Sequence, residues 1–229
     1  MPSVARARGA ALILCAGLCS CASVPLGAPD QSPPLRAIAD PAVVSVREKL
    51  VEAAYSVVGK KELVIRGRKF QTDCTGTVLA IYWAVGIDLA QDFDRFSGNG
   101  VTRLFRTLER ENLLYTTTHP LPGDIIFWDN SYDQNEDGQW NDPLTHVGMV
   151  VGVEPDATVS YVHAHVRSGI IVERMNLLNP DARSRMEWGQ VKILNSPMRM
   201  AEPGGTRPAR TLAGALYRSL GMGYLLSAR

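Results

Sequence analysis

Apolar residues follow helical spacing in the first half of the chain and alternate in the second. Val43, Val46, Leu50, Ala53, Ala54 and Val57 recur on one helical face, with Arg47, Glu48 and Lys49 off it. The pattern predicts a helix from Pro41 to Val58, with Asp40 as N-cap, Pro41 in the first turn and Gly59 as its end. Residues 60–72 are basic and partly extended, and Thr75 to Val85 reads as a buried helix closed by Gly86. After a polar loop at 88–100, Val101, Leu104, Phe105 and Leu108 place a third helix over Val101 to Asn112. Beyond the turn Leu121-Pro122-Gly123-Asp124, strands are expected at Ile125–Trp128, Thr145–Val153, Val159–His165 and Gly169–Met175, with a fifth at Val191–Leu194. Helices followed by strands imply an α+β domain, its N-terminal helices packed on a small antiparallel sheet. Leu212 to Leu226 reads as a short amphipathic C-terminal helix, weakened by Gly214, Gly221 and Gly223.

The 229 residues suffice for one domain with tails. Lys and Arg total 24 against 23 Asp and Glu, so nothing in the charge predicts a nucleic-acid partner. The ends carry more information. Arg6 and Arg8 precede an apolar run from Gly9 to Leu18 that is too short for an ordinary membrane span, which is the pattern of an export signal. Leu18-Cys19-Ser20-Cys21 resembles the bacterial lipobox, and that resemblance implies cleavage and diacylation at Cys21. A plain secretory signal is the alternative. The expected organisation is a signal at 1–20, a Pro/Gly/Ser-rich tether at 21–40, a catalytic domain at 41–200, and a linker with the C-terminal helix at 201–229. Ala22-Ser23 after the cysteine points, by resemblance to enteric lipoproteins, to an outer-membrane anchor facing the periplasm.

Of the four cysteines, at 15, 19, 21 and 74, the mature chain would then keep Cys21, blocked as a thioether, and Cys74. A lone exported thiol without a disulfide partner is a candidate reactive group; its other reading is a small buried hydrophobe. Cys74 sits just ahead of the second predicted helix, at the N-terminus where the helix dipole favours thiolate over thiol. A histidine nearby can hold the proton, and a further polar residue can hold that histidine.

Four segments occur in order: Asp73-Cys74-Thr75-Gly76, then Leu121-Pro122-Gly123-Asp124-Ile125-Ile126-Phe127-Trp128, then Thr145-His146-Val147-Gly148, then Val162-His163-Ala164. Together they resemble the NlpC-type cysteine peptidases of the bacterial cell wall, over roughly Val44 to Leu194. The resemblance implies a papain-like fold, with Cys74 as nucleophile, His146 as general base and His163 as the residue that orients it. His165 lies two positions on and shares a strand face with His163, so alternation alone does not separate them. Asp124 belongs to the Pro-Gly-Asp turn and is expected to bond turn amides, and Tyr82 and Trp128 to line core or cleft. The family's Tyr ahead of Asp-Cys is missing from Lys60 to Thr72, which leaves the second oxyanion donor unassigned.

The implied substrate is the peptidoglycan stem peptide, cut between D-glutamate and a diamino acid. The related CHAP amidases share the Cys/His plan and come second. A catalytically silent envelope-binding lipoprotein is a rival from another class. A zinc site built from Cys74 and the scattered histidines lacks compact ligand spacing. No catalytic cofactor is expected, and the chain is expected to be a monomer.

An insert between the first two strands has its own chemistry. Asp133, Asn135, Asp137 and Gly138 fit the first, third, fifth and sixth positions of a calcium loop, with the Gln139 carbonyl and Asn141 as further donors. The twelfth position is Leu144 rather than Glu, so Asp142 or Asp129 would complete the shell. The alternative is a polar hairpin tip. A calcium ion here would be structural, stiffening the strand that carries His146.

Overall fold

The computed structural model describes residues 38–200 and 211–226. The signal, Cys15, Cys19, Cys21, most of the tether and the 201–210 linker lie outside the described residues. Among the described residues, no helix is long and apolar enough to cross a membrane.

Three helices form where the periodicity places them. Helix α1 (Pro41–Val57) starts at Asp40, whose side chain accepts the Ala42 N–H at 2.8 Å, and buries Leu50, Ala54 and Val57. It stops before Gly59, which takes φ +75, a conformation open to glycine. A hairpin of β1 (Leu63–Ile65) and β2 (Arg68–Phe70) leads into α2 (Cys74–Ala84). Helix α2 packs against its neighbours on most sides, burying Gly76, Thr77, Val78, Ala80, Ile81 and Tyr82. Helix α3 (Gly100–Arg110) is capped by the Asn99 side chain, which accepts the Thr102 N–H, and buries Val101, Leu104, Phe105 and Leu108.

The main sheet is antiparallel and six-stranded: β3 (Leu114–Tyr115), β10 (Tyr217–Gly221), β4 (Ile125–Trp128), β5 (His146–Val153), β6 (Thr158–His165) and β7 (Gly169–Asn176), in that spatial order. Helix α2 lies against β5 and β6, while α1 packs on α2 and β5. The α+β class is as expected. The fifth expected strand, β9 (Gln190–Ile193), stays outside the main sheet and pairs only with β8 (Ser184–Glu187).

The C-terminal helix expectation is overturned. Residues 217–221 form β10, an interior strand, followed by a single 3-10 turn at Gly223–Leu225. Two packing facts explain it. All four residues of β4 are fully buried, so its edge away from β5 must be paired inside the core, and β10 pairs it. The glycines that weaken a helix are needed for close approach. A Cβ on Gly221 would lie 2.5 Å from Leu108, and one on Gly223 2.8 Å from Ile125 and 2.9 Å from the Tyr82 ring.

The Pro-Gly-Asp turn ahead of β4 is a polar hub in this core. Asp124 is fully buried and accepts the Leu121 N–H at 2.6 Å, the Tyr224 hydroxyl at 3.0 Å and the Tyr115 hydroxyl. Burial pushes its pKa up to about 6, against the pull of those donors and of Arg47. The Tyr82 hydroxyl donates to the Gly123 carbonyl at 2.6 Å, so α2, β3, β4 and the C-terminal turn meet at one point.

Candidate functional site

Cys74 sits in the first turn of α2, held by a tight local frame. The Asp73 side chain accepts the Gly76 N–H at 2.6 Å, and the Asp73 carbonyl accepts both the amide and the hydroxyl of Thr77, at 2.9 and 2.7 Å. Gly76 is required here, because a Cβ would stand 2.1 Å from the Gln71 carbonyl oxygen. The thiol is half-buried and free. Its pKa is raised by burial and by the Asp73 charge, against bonds from the Thr75 hydroxyl and from the Val147 and Thr75 amides. The helix N-terminus alone led to the opposite expectation, a thiolate. The sulfur thus lies against the amide of Val147, the neighbour of His146 on β5.

His146 opens β5 opposite Trp128 on β4, and the two rings stand 5.7 Å apart. Its Nε2 is 2.8 Å from Nδ1 of His163 on β6, with the rings nearly perpendicular at 84°. Gly148 makes this contact possible. It shares the face of His146, and a Cβ there would press within 2.9 Å of the Val162 carbonyl, 3.2 Å of Trp128 and 3.3 Å of the His163 Cβ. Burial, then His163 and His165, lower the His146 pKa well below 6.5, so the ring rests neutral. The neutral ring is next in the chain to Val147, whose amide bonds the Cys74 sulfur, and this is the link between thiol and imidazole that a general-base pair would need.

His163 is buried, 2% exposed, and its Nε2 lies 3.1 Å from Oε2 of Glu173 on β7, at an angle short of hydrogen-bond alignment. The Tyr161 hydroxyl also reaches Glu173, at 3.4 Å. His165 is used differently: its Nδ1 accepts the amides of Arg167 and Ser168, both at 3.1 Å, and caps the β6–β7 turn. His119 is at the surface with its Nδ1 2.9 Å from the Thr118 hydroxyl. Trp128 backs the His146 ring while its Nε1–H donates to the Ala213 carbonyl at 2.9 Å.

The insert is stapled at its base, next to His146. The Ser131 amide and hydroxyl each lie 2.9 Å from the Thr145 hydroxyl, and the Leu144 amide donates to Asp129 at 2.8 Å. Arg199 donates to the Asn130 carbonyl at 2.7 Å and covers the Trp140 ring at 4.2 Å. Tyr132, in the same insert, has its pKa raised by burial, then by the charges of Cys74 and Asp142. Its hydroxyl makes no hydrogen bond among the described residues.

The expected calcium donors largely face their own loop. Asp133 accepts the Gly138 amide at 2.8 Å, and Asp137 accepts the Gln139 amide at 2.8 Å. The Asn135 oxygen accepts the Asp137 amide at 3.1 Å, and its side-chain amide donates to Asp137 at 3.0 Å and to Asn141 at 3.3 Å. No group of three or more His, Cys, Asp or Glu is arranged for a metal among the described residues. Two oxygens stand out: Oδ1 of Asp133 and Oδ2 of Asp142 are buried without a partner. Among the described residues no hydrogen bond joins these two oxygens to each other, and the backbone-satisfied remainder fits a plain polar turn.

Glu173 and Tyr132 had no sequence signal of their own. Register could have found Glu173: with His165 opposite Gly169, counting back along the hairpin sets Glu173 on the face of His163. No family model, no curated protein and no solved structure matches this chain.

Proposed function

We propose that the chain is an exported, lipid-anchored cysteine peptidase of NlpC type, papain-like in fold, that hydrolyses peptidoglycan stem peptides at a D-glutamyl–diamino acid bond. The observation that carries this reading is the convergence of Cys74, at the start of a buried helix, on the strand of His146, whose Nε2 meets His163 at 2.8 Å. In this reading His146 takes the Cys74 proton as the sulfur bonds to the carbonyl carbon. The carbonyl electron pair moves to oxygen and returns as the C–N bond breaks, with His146 giving its proton to the leaving amine. Water, deprotonated by His146, then cleaves the thioester and restores the thiol. Oxyanion donors in this reading are the Cys74 amide and the Tyr132 phenol, the latter in place of the missing family Tyr.

Calcium bound at Asp133, Asp142 and the Asp137 turn would act structurally by bracing the insert against β5, and no chemical step depends on it. Anchoring through Cys21 would supply proximity to the wall, and acyl chains found on Cys21 by mass spectrometry of the membrane fraction test that point. The activity test is digestion of purified peptidoglycan with mass spectrometry of the products. Free diamino-acid amino termini are expected from the wild type and none from Cys74→Ala or His146→Ala. Cleavage at muramoyl–alanine instead identifies a CHAP-like amidase, and no product from the wild type overturns the enzyme reading.

A further inference from the structure

Buried imidazoles in contact need a rule for which nitrogen carries the proton. His146 Nε2 and His163 Nδ1 share one hydrogen between them at 2.8 Å, and either ring can donate it. If His163 donates from Nδ1, then His146 accepts at Nε2, and a neutral His146 must carry its own proton on Nδ1. That tautomer cannot take a proton from a thiol at Nδ1. If His146 donates from Nε2, its Nδ1 lone pair is free. The choice is made at the far end of the chain of contacts. His163 Nε2 is buried, has no hydrogen-bond partner and lies 3.1 Å from the Glu173 carboxylate. A carboxylate accepts and does not donate, so a small turn of Glu173 pairs it with an N–H on that nitrogen.

We propose that Glu173 is a positioning residue that sets the proton order of a Cys74–His146–His163–Glu173 relay. Glu173 holds the proton of His163 on Nε2. Nδ1 of His163 then accepts from His146 Nε2–H, and His146 Nδ1 is left bare to receive the Cys74 proton. The same carboxylate offsets the positive charge that His146 gains during attack. Glu173 touches no substrate in this scheme and acts only through His163. It is itself placed by the β6–β7 register, which sets Tyr161 opposite it, and by the Tyr161 hydroxyl.

The inference rests on the proposed hydrolase reading for its purpose, but its test does not need the substrate. Histidine tautomers are read by 15N NMR of the purified protein, alongside the pH profile of Cys74 alkylation by iodoacetamide. Other ionisable groups bear on that profile: Asp73 at the N-cap of α2, Tyr132 in the insert, Tyr161 and His165 on β6, and Arg174 of β7 with Glu187 and Lys192 of the β8–β9 hairpin, which border Glu173. They are unchanged in each variant. Wild type should show His163 protonated on Nε2 and His146 on Nε2. Glu173→Ala should mix the tautomers and slow alkylation about tenfold or more. The near-isosteric Glu173→Gln keeps an acceptor oxygen, so it should retain the tautomers while shifting the alkylation profile through its lost charge. On cell-wall substrate, Glu173→Ala should lower kcat with KM held. Unchanged tautomers and an unchanged profile in both variants would overturn the relay. A wild type with the relay intact and no peptidoglycan product would overturn the substrate reading alone.

Discussion

Asp124 gives a stability prediction with a worked sign. Burial raises its pKa in the folded protein from 3.8 to about 6. The folded state therefore binds this proton more tightly than the unfolded chain. The resulting stabilisation is fully present below 3.8 and is lost as pH rises through 6. The shift is roughly 2 units, and at about 1.36 kcal/mol per unit it amounts to about 3 kcal/mol over the full range. Between about pH 7.5 and about pH 4.5 the expected change is about 2 kcal/mol. His146 works in the opposite direction. Burial, with His163 and His165, depresses its folded pKa, so as pH falls below 6.5 the unfolded chain takes the proton first and the folded state loses ground. The wild-type curve alone would mix the two effects. The clean observable is the difference between wild type and Asp124→Asn in urea melts across that window. The amide stands in for the protonated carboxyl, so the variant should match or exceed the wild type at the upper pH. The wild type should then gain about 2 kcal/mol on it toward the lower pH. A difference flat with pH would mean that Asp124 does not titrate in that window, and the argument from burial would be wrong.

For the proposed peptidoglycan hydrolysis, His163→Ala should lower kcat by about a hundredfold, because it removes the partner of His146 Nε2. His165→Ala should cost far less, since that ring bonds only the turn amides of Arg167 and Ser168 and touches the relay edge-on, through His163. Steady-state rates of both variants check this, and the reverse order of damage would refute it. Millimolar calcium should raise the melting temperature through binding to the native state, and Asp133→Ala combined with Asp137→Ala should remove the rise. Magnesium should substitute poorly because it demands stricter octahedral geometry, and a titration without heat or melting shift would leave a polar hairpin tip.

The three helices and the strands β4 to β7 were legible because each has a strong local signal. Asp40 with Pro41 and the stripe through Leu50 mark α1, and its observed end is within one residue of the expected one. The run from Ile125 to Trp128 was recognisable because burial on both faces leaves it wholly apolar. The β8–β9 pair was harder to place. Met186, Trp188 and Val191 are exposed there, at 67%, 98% and 63%, so no alternation between core and solvent marks a face. Strand β10 was unreadable for a different reason. Its one glycine, Gly221, answers to Leu108 and Phe127, residues far away in sequence, and local propensity carries no record of them. At the site, Cys74, His146 and His163 were visible as motif positions, whereas Glu173 acquires its meaning only through strand register.

Strand β10 also bears on when the protein can assemble. The Trp128 indole is held by the carbonyl of Ala213, 85 residues downstream, and Asp124 by Tyr224, 100 residues downstream. A nascent chain released only as far as residue 200 would have β4 with an open inner edge and its turn carboxylate missing a donor. Contacts of such sequence separation form late and slowly. Completion of the sheet therefore depends on the arrival of its C-terminal strand, because β4 lies between β5 and β10 and, among the described residues, has no other partner for its second edge. Truncation before Tyr217 should leave not a trimmed domain but an open, aggregation-prone half-sheet.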